Sequence, residues 1–408
     1  MKLGIGILFA LVLRLGVPLA TAAEDPGLVL QGGKVYASPT AAPVEDAALL
    51  IRDGRIVAVG KRTALKVPKS ARVIDCTGKV IVAGFWNSHV HFQNGWADAA
   101  QAPAEKLDAH MREMLTRWGF TTVWDLGSEP NNTLAIRRRI GSGEISGPQI
   151  LMAGDIFPHN GHPVYLPPEL KLPEAATPQE AEQIAQQYLK MGLDGIKLFT
   201  GSYMGNKPVI NMDTTIVKAA VDVAHAQGKP VFAHPQNWAG VDNALAGGVD
   251  VLAHTIPMAG HYTPDELSRM KQQRTALTPT LTLWTTVVSD PAVADQLVQS
   301  GVDELKAFFL QGGTVLFGTD VGFQSKYDTT QECEFMGRAM PWRDILASLT
   351  TNPAEFFKDA AKGRVEEGMT ADLVVLDADP ESDVRNLAKV AYTIREGKII
   401  YSANSKQK

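Results

Sequence analysis

The chain has 408 residues with 39 basic and 44 acidic side chains, a net charge of −5. That length exceeds what one small core needs and points to a large barrel-type domain or to two domains. The mild acidic balance, with no basic block, gives no electrostatic ground for nucleic-acid or anionic-membrane binding. Cys76 and Cys333 are too few for a disulfide framework and are expected to be structural thiols.

The first stretch, "MKLGIGILFALVLRLGVPLATAA", has a short basic start, an apolar run broken by Arg14 and a small-residue end. This is the layout of a secretory signal peptide over residues 1–23, with cleavage near Ala22 or Ala23. No later apolar run approaches the roughly 20 residues that span a bilayer. The mature chain is therefore expected to be soluble, without a membrane partner, and periplasmic or secreted.

Short β patterns follow in "LVLQGGKVYA", in "ALLIRDGRIVAVG" with Asp53-Gly54 as a hairpin turn, and in "ARVIDCTGKVIVAG". The same texture returns at the far end in "ADLVVLDADP" and "VAYTIREGKIIYS". A small β-sandwich domain built from both chain ends, residues 24–82 and 363–408, is expected.

Between them, over residues 83–362, strand and helix patterns alternate. The candidate strands are "KVIVAGFWNSHVHF", "FTTVWDLG", "QILMAGDIF", "DGIKLFT", "KPVFAHP", "VDVLAHT", "ALTPTLTLW" and "TVLFGTD". Helical patterns include "TPQEAEQIAQQYLKMG", "MDTTIVKAAVDVAHAQG" and "TPDELSRMKQQR", the last with Thr263 and Glu266 at capping-box spacing. Eight strands with helices between them predict an α/β fold, a (β/α)8 TIM-type barrel, whose site residues gather at the C-terminal strand ends. No fixed-period repeat or low-complexity segment competes with this organisation.

Of nine histidines, His89, His91, His234 and His254 fall at the ends of apolar strand patterns. His89 and His91 are spaced to share one face of a strand. Lys197 and Asp320 end the fourth and eighth patterns. Each residue alone reads as structural; six polar groups at one barrel mouth would be costly to desolvate unless something neutralises and coordinates them. A divalent metal does so, with zinc the default for imidazole and carboxylate donors. A lysine ammonium would repel metal, whereas a neutral Lys197 amine that captures carbon dioxide becomes a carbamate able to bridge two ions. His225, His110 and His261 read as packing or surface residues.

The H-x-H of "NSHVHF", with "DGIKLF", "VFAHP", "VLAHT", "FGTD" and the ending "TTNPAEFF…GRVEEGMTADLVVLD", resembles the amidohydrolase superfamily, within it the metal-dependent prolidase and imidazolonepropionase-like group. The resemblance covers nearly the whole chain after the leader. It implies two divalent metal ions held by His89, His91, a carboxylated bridging Lys197, His234, His254 and Asp320. It also implies that Asp320 takes the proton of the attacking water. Relatives often use a loop histidine and a loop tyrosine to hold the substrate carbonyl; here these are His162 in "PHNGHP", with His159 as its alternate, and Tyr203 in "TGSYMGN". Two positions depart from the pattern: Asn87, where many relatives carry aspartate, and Trp124, where arginine often precedes the aspartate. Lys207, Arg338 and Arg343 are candidate grips for a substrate carboxylate.

The expected activity is metal-dependent hydrolysis of an amide-type C–N bond, in a dipeptide or an N-acyl amino acid, by metal-activated water in a binuclear site. One alternative is a mononuclear cyclic-amide hydrolase of the imidazolonepropionase type, which metal stoichiometry would separate. Another is a non-catalytic barrel that only binds, against which stands the presence of all six polar residues. No G-x-S-x-G elbow, H-E-x-x-H helix or Walker loop is present. The expected partner is a small molecule, and self-association would be in keeping with the superfamily.

Overall fold

The structure, a computed structural model, describes residues 26–404 except 94, 95, 97 and 259. The leader read in residues 1–23 lies outside the described residues. Among the described residues, no helix is long and apolar enough to cross a membrane.

The chain ends form one continuous eight-stranded sheet. From the N-terminal side come Leu28–Val35, Val44–Arg52, Arg55–Lys61, Arg72–Asp75 and Val80–Ala83; from the C-terminal side come Leu373–Leu376, Val390–Arg395 and Lys398–Ser402. The two halves join where Leu373–Leu376 pairs antiparallel with Val80–Ala83. Asp53 and Gly54 both take positive φ between paired strands, as a tight hairpin requires. Leu30, Leu49, Ile51, Ile81, Val375 and Ile394 build a core of their own, joined by the free, buried Cys76. Cys333 is likewise free and buried.

The central segment forms a parallel barrel sheet of seven strands: Phe85–Val90, Phe120–Asp125, Gln149–Pro158, Gly195–Phe199, Val231–His234, Val251–Ala253 and Ala276–Thr278. The expected eighth strand is an extended segment bonded on both sides rather than a regular strand. Leu316 N donates to Leu277 O at 2.9 Å, and Ser88 N donates to Phe317 O at 2.7 Å, which carries the hydrogen bonding round from the seventh strand to the first. Trp124, Ala153, Phe232, Val251, Ala276 and Leu316 form a buried apolar cluster within the barrel. Helices such as Pro178–Lys190, Thr214–Ala226 and Pro264–Gln273 pack outside, the first and last opened by complete capping boxes at Thr177 and Thr263.

The run "KVIVAGFWNSHVHF", read as one strand, serves two sheets and breaks at Gly84. Gly84 N donates to Asp372 O at 2.7 Å, and a Cβ there would lie 2.3 Å from Thr121 Oγ1. Only glycine permits that approach. Below the barrel, half-buried Lys362 lies 3.0 Å from Asp372 of the small sheet and from Thr122 Oγ1 of the second barrel strand, tying the two parts together.

Candidate metal centre

The first barrel strand, Phe85–Val90, is buried along its whole length, and His91 follows it directly. His89 Nε2 and His91 Nε2 lie 3.2 Å apart, and Asp320 Oδ1 is 3.1 Å from the former and 2.8 Å from the latter. Asp320 reaches them because its backbone N–H bonds His89 O at 2.9 Å, and it holds a positive φ of 60° to do so. His91 Nδ1 is 2.8 Å from Gly127 O. A carbonyl only accepts, so Nδ1 carries the proton and the Nε2 lone pair faces Asp320. The Asn87 amide bridges Thr319 Oγ1 at 2.7 Å and His89 N at 3.1 Å, bracing the first strand against the eighth segment.

His254 and His234 stand beside this trio. The His254 ring centroid is 4.5 Å from that of His89, and the His234 centroid is 5.0 Å from that of His254. His254 Nδ1 is 2.6 Å from Thr280 Oγ1. The turn after Thr280 is fixed by buried Glu332, which accepts from Leu281 N and Thr282 N at 2.8 and 2.7 Å. His234 Nε2 lies 3.0 Å from Gln236 Oε1, so its proton sits there and Nδ1 is left as a donor atom. Lys197, on the fourth strand, is 2 % exposed.

Burial dominates the electrostatics. It pulls His89 to about 3 and His234 to about 4, with the Lys197 charge adding to both, and holds His254 well below the ordinary histidine range. These rings are neutral at physiological pH, the form that ligates metal. Burial opposes His91 protonation, but the adjacent Asp320 carboxylate outweighs it and raises its value. Burial likewise opposes ionisation of Asp320, yet His89 and His91 keep it well below the usual carboxylate range. Lys197 is brought down to about 8 by burial, against the attraction of Asp155, Asp320 and Asp125.

A cation fits this arrangement. One donor atom from each of His89, His91 and Asp320 lies within 4.8 Å of the others. His89 Nδ1 and Asp320 Oδ1 are buried without a well-directed hydrogen bond, where buried polar atoms are almost always satisfied.

The loop residues stand differently. His162 places its ring nitrogens 3.1 Å from Pro163 O and Leu170 O, carbonyls of its own loop. Tyr203 is 42 % exposed, and its backbone oxygen accepts from Val164 N at 3.2 Å, joining the loops after the third and fourth strands. His159 pairs with Glu174 at the surface. Arg343 donates to Pro39 O and lies over Trp342 and Tyr36, while Arg338 bonds Gln299; Lys207 is exposed. Trp124 packs in the barrel against Phe232 and Phe357, both at 4.9 Å.

Sequence reasoning missed Asp125, Asp155 and Tyr165. Asp125 is fully buried and accepts from Ser128 Oγ at 2.6 Å and Thr133 Oγ1 at 2.7 Å. Tyr165 crosses Phe323 edge-on at 5.3 Å, and Phe323 meets the His91 ring at 6.4 Å. The signal for Asp155 was a lone acid inside the apolar "QILMAGDIF".

No curated protein sequence matches the chain. Among solved structures, a Bifidobacterium longum protein provisionally assigned as a prolidase is 25 % identical with a TM-score of 0.79, covering 94 % of this chain and 97 % of that one. A Xaa-Pro dipeptidase with bound methionine in its active site is 23 % identical with a TM-score of 0.77, covering 92 % of this chain and all of that one. An Aspergillus niger ochratoxinase is 19 % identical with a TM-score of 0.74, covering 94 % of this chain and 97 % of that one. The Amidohydrolase family matches residues 80–400, spanning the barrel and much of the small sheet. The chain therefore belongs to the amidohydrolase family, and is a metal-dependent hydrolase of amide-type C–N bonds on a TIM-barrel fold.

Proposed function

We propose that this hydrolase is binuclear and cleaves dipeptides or N-acyl amino acids. In this reading His89, His91, carboxylated Lys197, His234, His254 and Asp320 hold two divalent ions, with zinc best suited to the donor set. The observation that carries it is the buried convergence of His89, His91 and Asp320, whose Nε2 and Oδ1 atoms lie 2.8–3.2 Å from one another. The prolidase and Xaa-Pro dipeptidase names of two structural neighbours support an amino-acid amide as substrate.

When bound, the ions supply water activation and carbonyl polarisation. The residues do the rest. Gly127 O and Thr280 Oγ1 fix the His91 and His254 rings. With Lys197 brought down to about 8, part of the amine is neutral, the state that captures carbon dioxide. Asp320, held ionised, accepts the proton of the attacking water and returns it to the leaving amine. His162 and Tyr203, in the loops after the third and fourth strands, are assigned to substrate contact. We also place the mature protein in the periplasm or outside the cell, on the leader at residues 1–23.

The test is Asp320→Asn. Turnover of the zinc-loaded variant on a dipeptide and N-acyl amino acid panel, read by amine release, should fall at least about 1,000-fold while the fold and part of the metal remain. High residual turnover would refute the assignment.

A further inference from the structure

Asp155 lies on the third barrel strand in parallel register with Lys197. Register partners on parallel strands point to the same side, so Asp155, like the buried Lys197, faces the barrel interior. It is partly open to solvent, yet its Oδ1 is buried and makes no hydrogen bond. The contrast with Asp125, satisfied by Ser128 and Thr133, is direct. Lys197 lends it charge but no hydrogen bond, and a buried carboxylate oxygen without a donor is unfavourable until one arrives.

Its position says which donor. Asp155 Oδ2 lies 2.4 Å from where a Gly127 Cβ would be, and Gly127 O is the acceptor that orients His91. The carboxylate is therefore beside the turn that orients His91, at the edge of the candidate metal centre. In an aminoacyl amide, the α-amino group is one carbon from the scissile carbonyl, so whatever receives it must border the metal centre. The aromatic pair Tyr165 and Phe323, next to His91, offers an apolar wall for the adjoining side chain.

We infer that Asp155 receives the substrate's α-ammonium group, so that the enzyme acts on dipeptides with a free amino terminus in preference to N-acyl amino acids. This rests on the reading of the barrel mouth as an amide-hydrolysing site. An ammonium gives Asp155 a charge-assisted hydrogen bond. An acyl group brings no positive charge and turns a carbonyl oxygen toward a carboxylate, which is repulsive.

The experiment compares matched probes differing only in N-acetylation, with zinc-loaded wild type and Asp155→Asn. Turnover is measured on dipeptides, and calorimetric binding on non-hydrolysable phosphonate analogues of the same dipeptides. Wild type should favour the free amine by at least about 30-fold in both kcat/KM and binding, the scale of a charge-assisted bond in a desolvated site. Asp155→Asn should bring that ratio close to one while still binding zinc. Equal handling of the two probes by wild type would overturn the inference, and this comparison needs no variant to fold. A variant that weakens both probes alike, or that loses its metal, would overturn it too, assigning Asp155 to the metal site. Failure of the hydrolase reading looks different: no turnover of either dipeptide form at full metal occupancy, with the binding ratio still deciding the role of Asp155.

Discussion

Asp125 and Asp155 stand on neighbouring strands at one barrel mouth, and the protein supplies hydrogen-bond donors to the first but not to the second. Gly127 mediates between them and the metal centre. It holds a φ of 136°, its carbonyl fixes His91, and a side chain on it would strike Asp155. Gly127→Ala should therefore misdirect His91, lowering zinc affinity about 10-fold or more and the melting temperature by several degrees. Competitive chelator titration and thermal melts check this, and wild-type affinity in the variant would show that the Gly127 contact is dispensable. At this scale the candidate ligands were legible because His89, His91, His234, His254 and Asp320 fall at the ends of apolar runs and Lys197 is the one charge inside another. Asp155 was not, because a single acid within a strand does not announce whether donors on other strands will meet it.

Elements position the site from behind. The helix Pro291–Leu310 carries Glu304, fully buried, which accepts from Ile256 N at 2.9 Å in the loop after His254. Burial pushes this carboxyl from 4.5 to about 8, against hydrogen bonds from Ile256 and Ser300. With the folded value above the unfolded one, its contribution to stability is full below about pH 4.5 and is lost as pH rises toward 8. Glu304→Gln keeps an acceptor for Ile256 and has no charge to bury. Relative to wild type, the variant should gain a few degrees of melting temperature between pH 5 and pH 9, since every tenfold difference in proton affinity between the folded and unfolded chain is worth about 1.4 kcal/mol. A difference that does not change with pH would contradict this. The capping boxes show what sequence reveals about elements: the Thr263–Glu266 spacing marks the observed helix start. Gly84 shows what it hides, since an unbroken apolar run gives no sign that the chain changes sheets.

Over the whole molecule, the pattern of end strands around alternating strands and helices made the architecture readable. The eighth segment was harder: its backbone is fixed by bonds to strands far apart in sequence, and it carries Asp320 across to His89. Closing the barrel in this way assembles the polar cluster, and the Lys362–Asp372 pair ties the small sheet to the barrel floor, away from the mouth. The metal dependence of this assembly is tested most directly by stripping the protein with a chelator and titrating zinc back, with metal per chain and dipeptide turnover followed together. Turnover should vanish with the metal and return in proportion as two ions bind per chain. Full turnover by protein freed of metal would contradict the account.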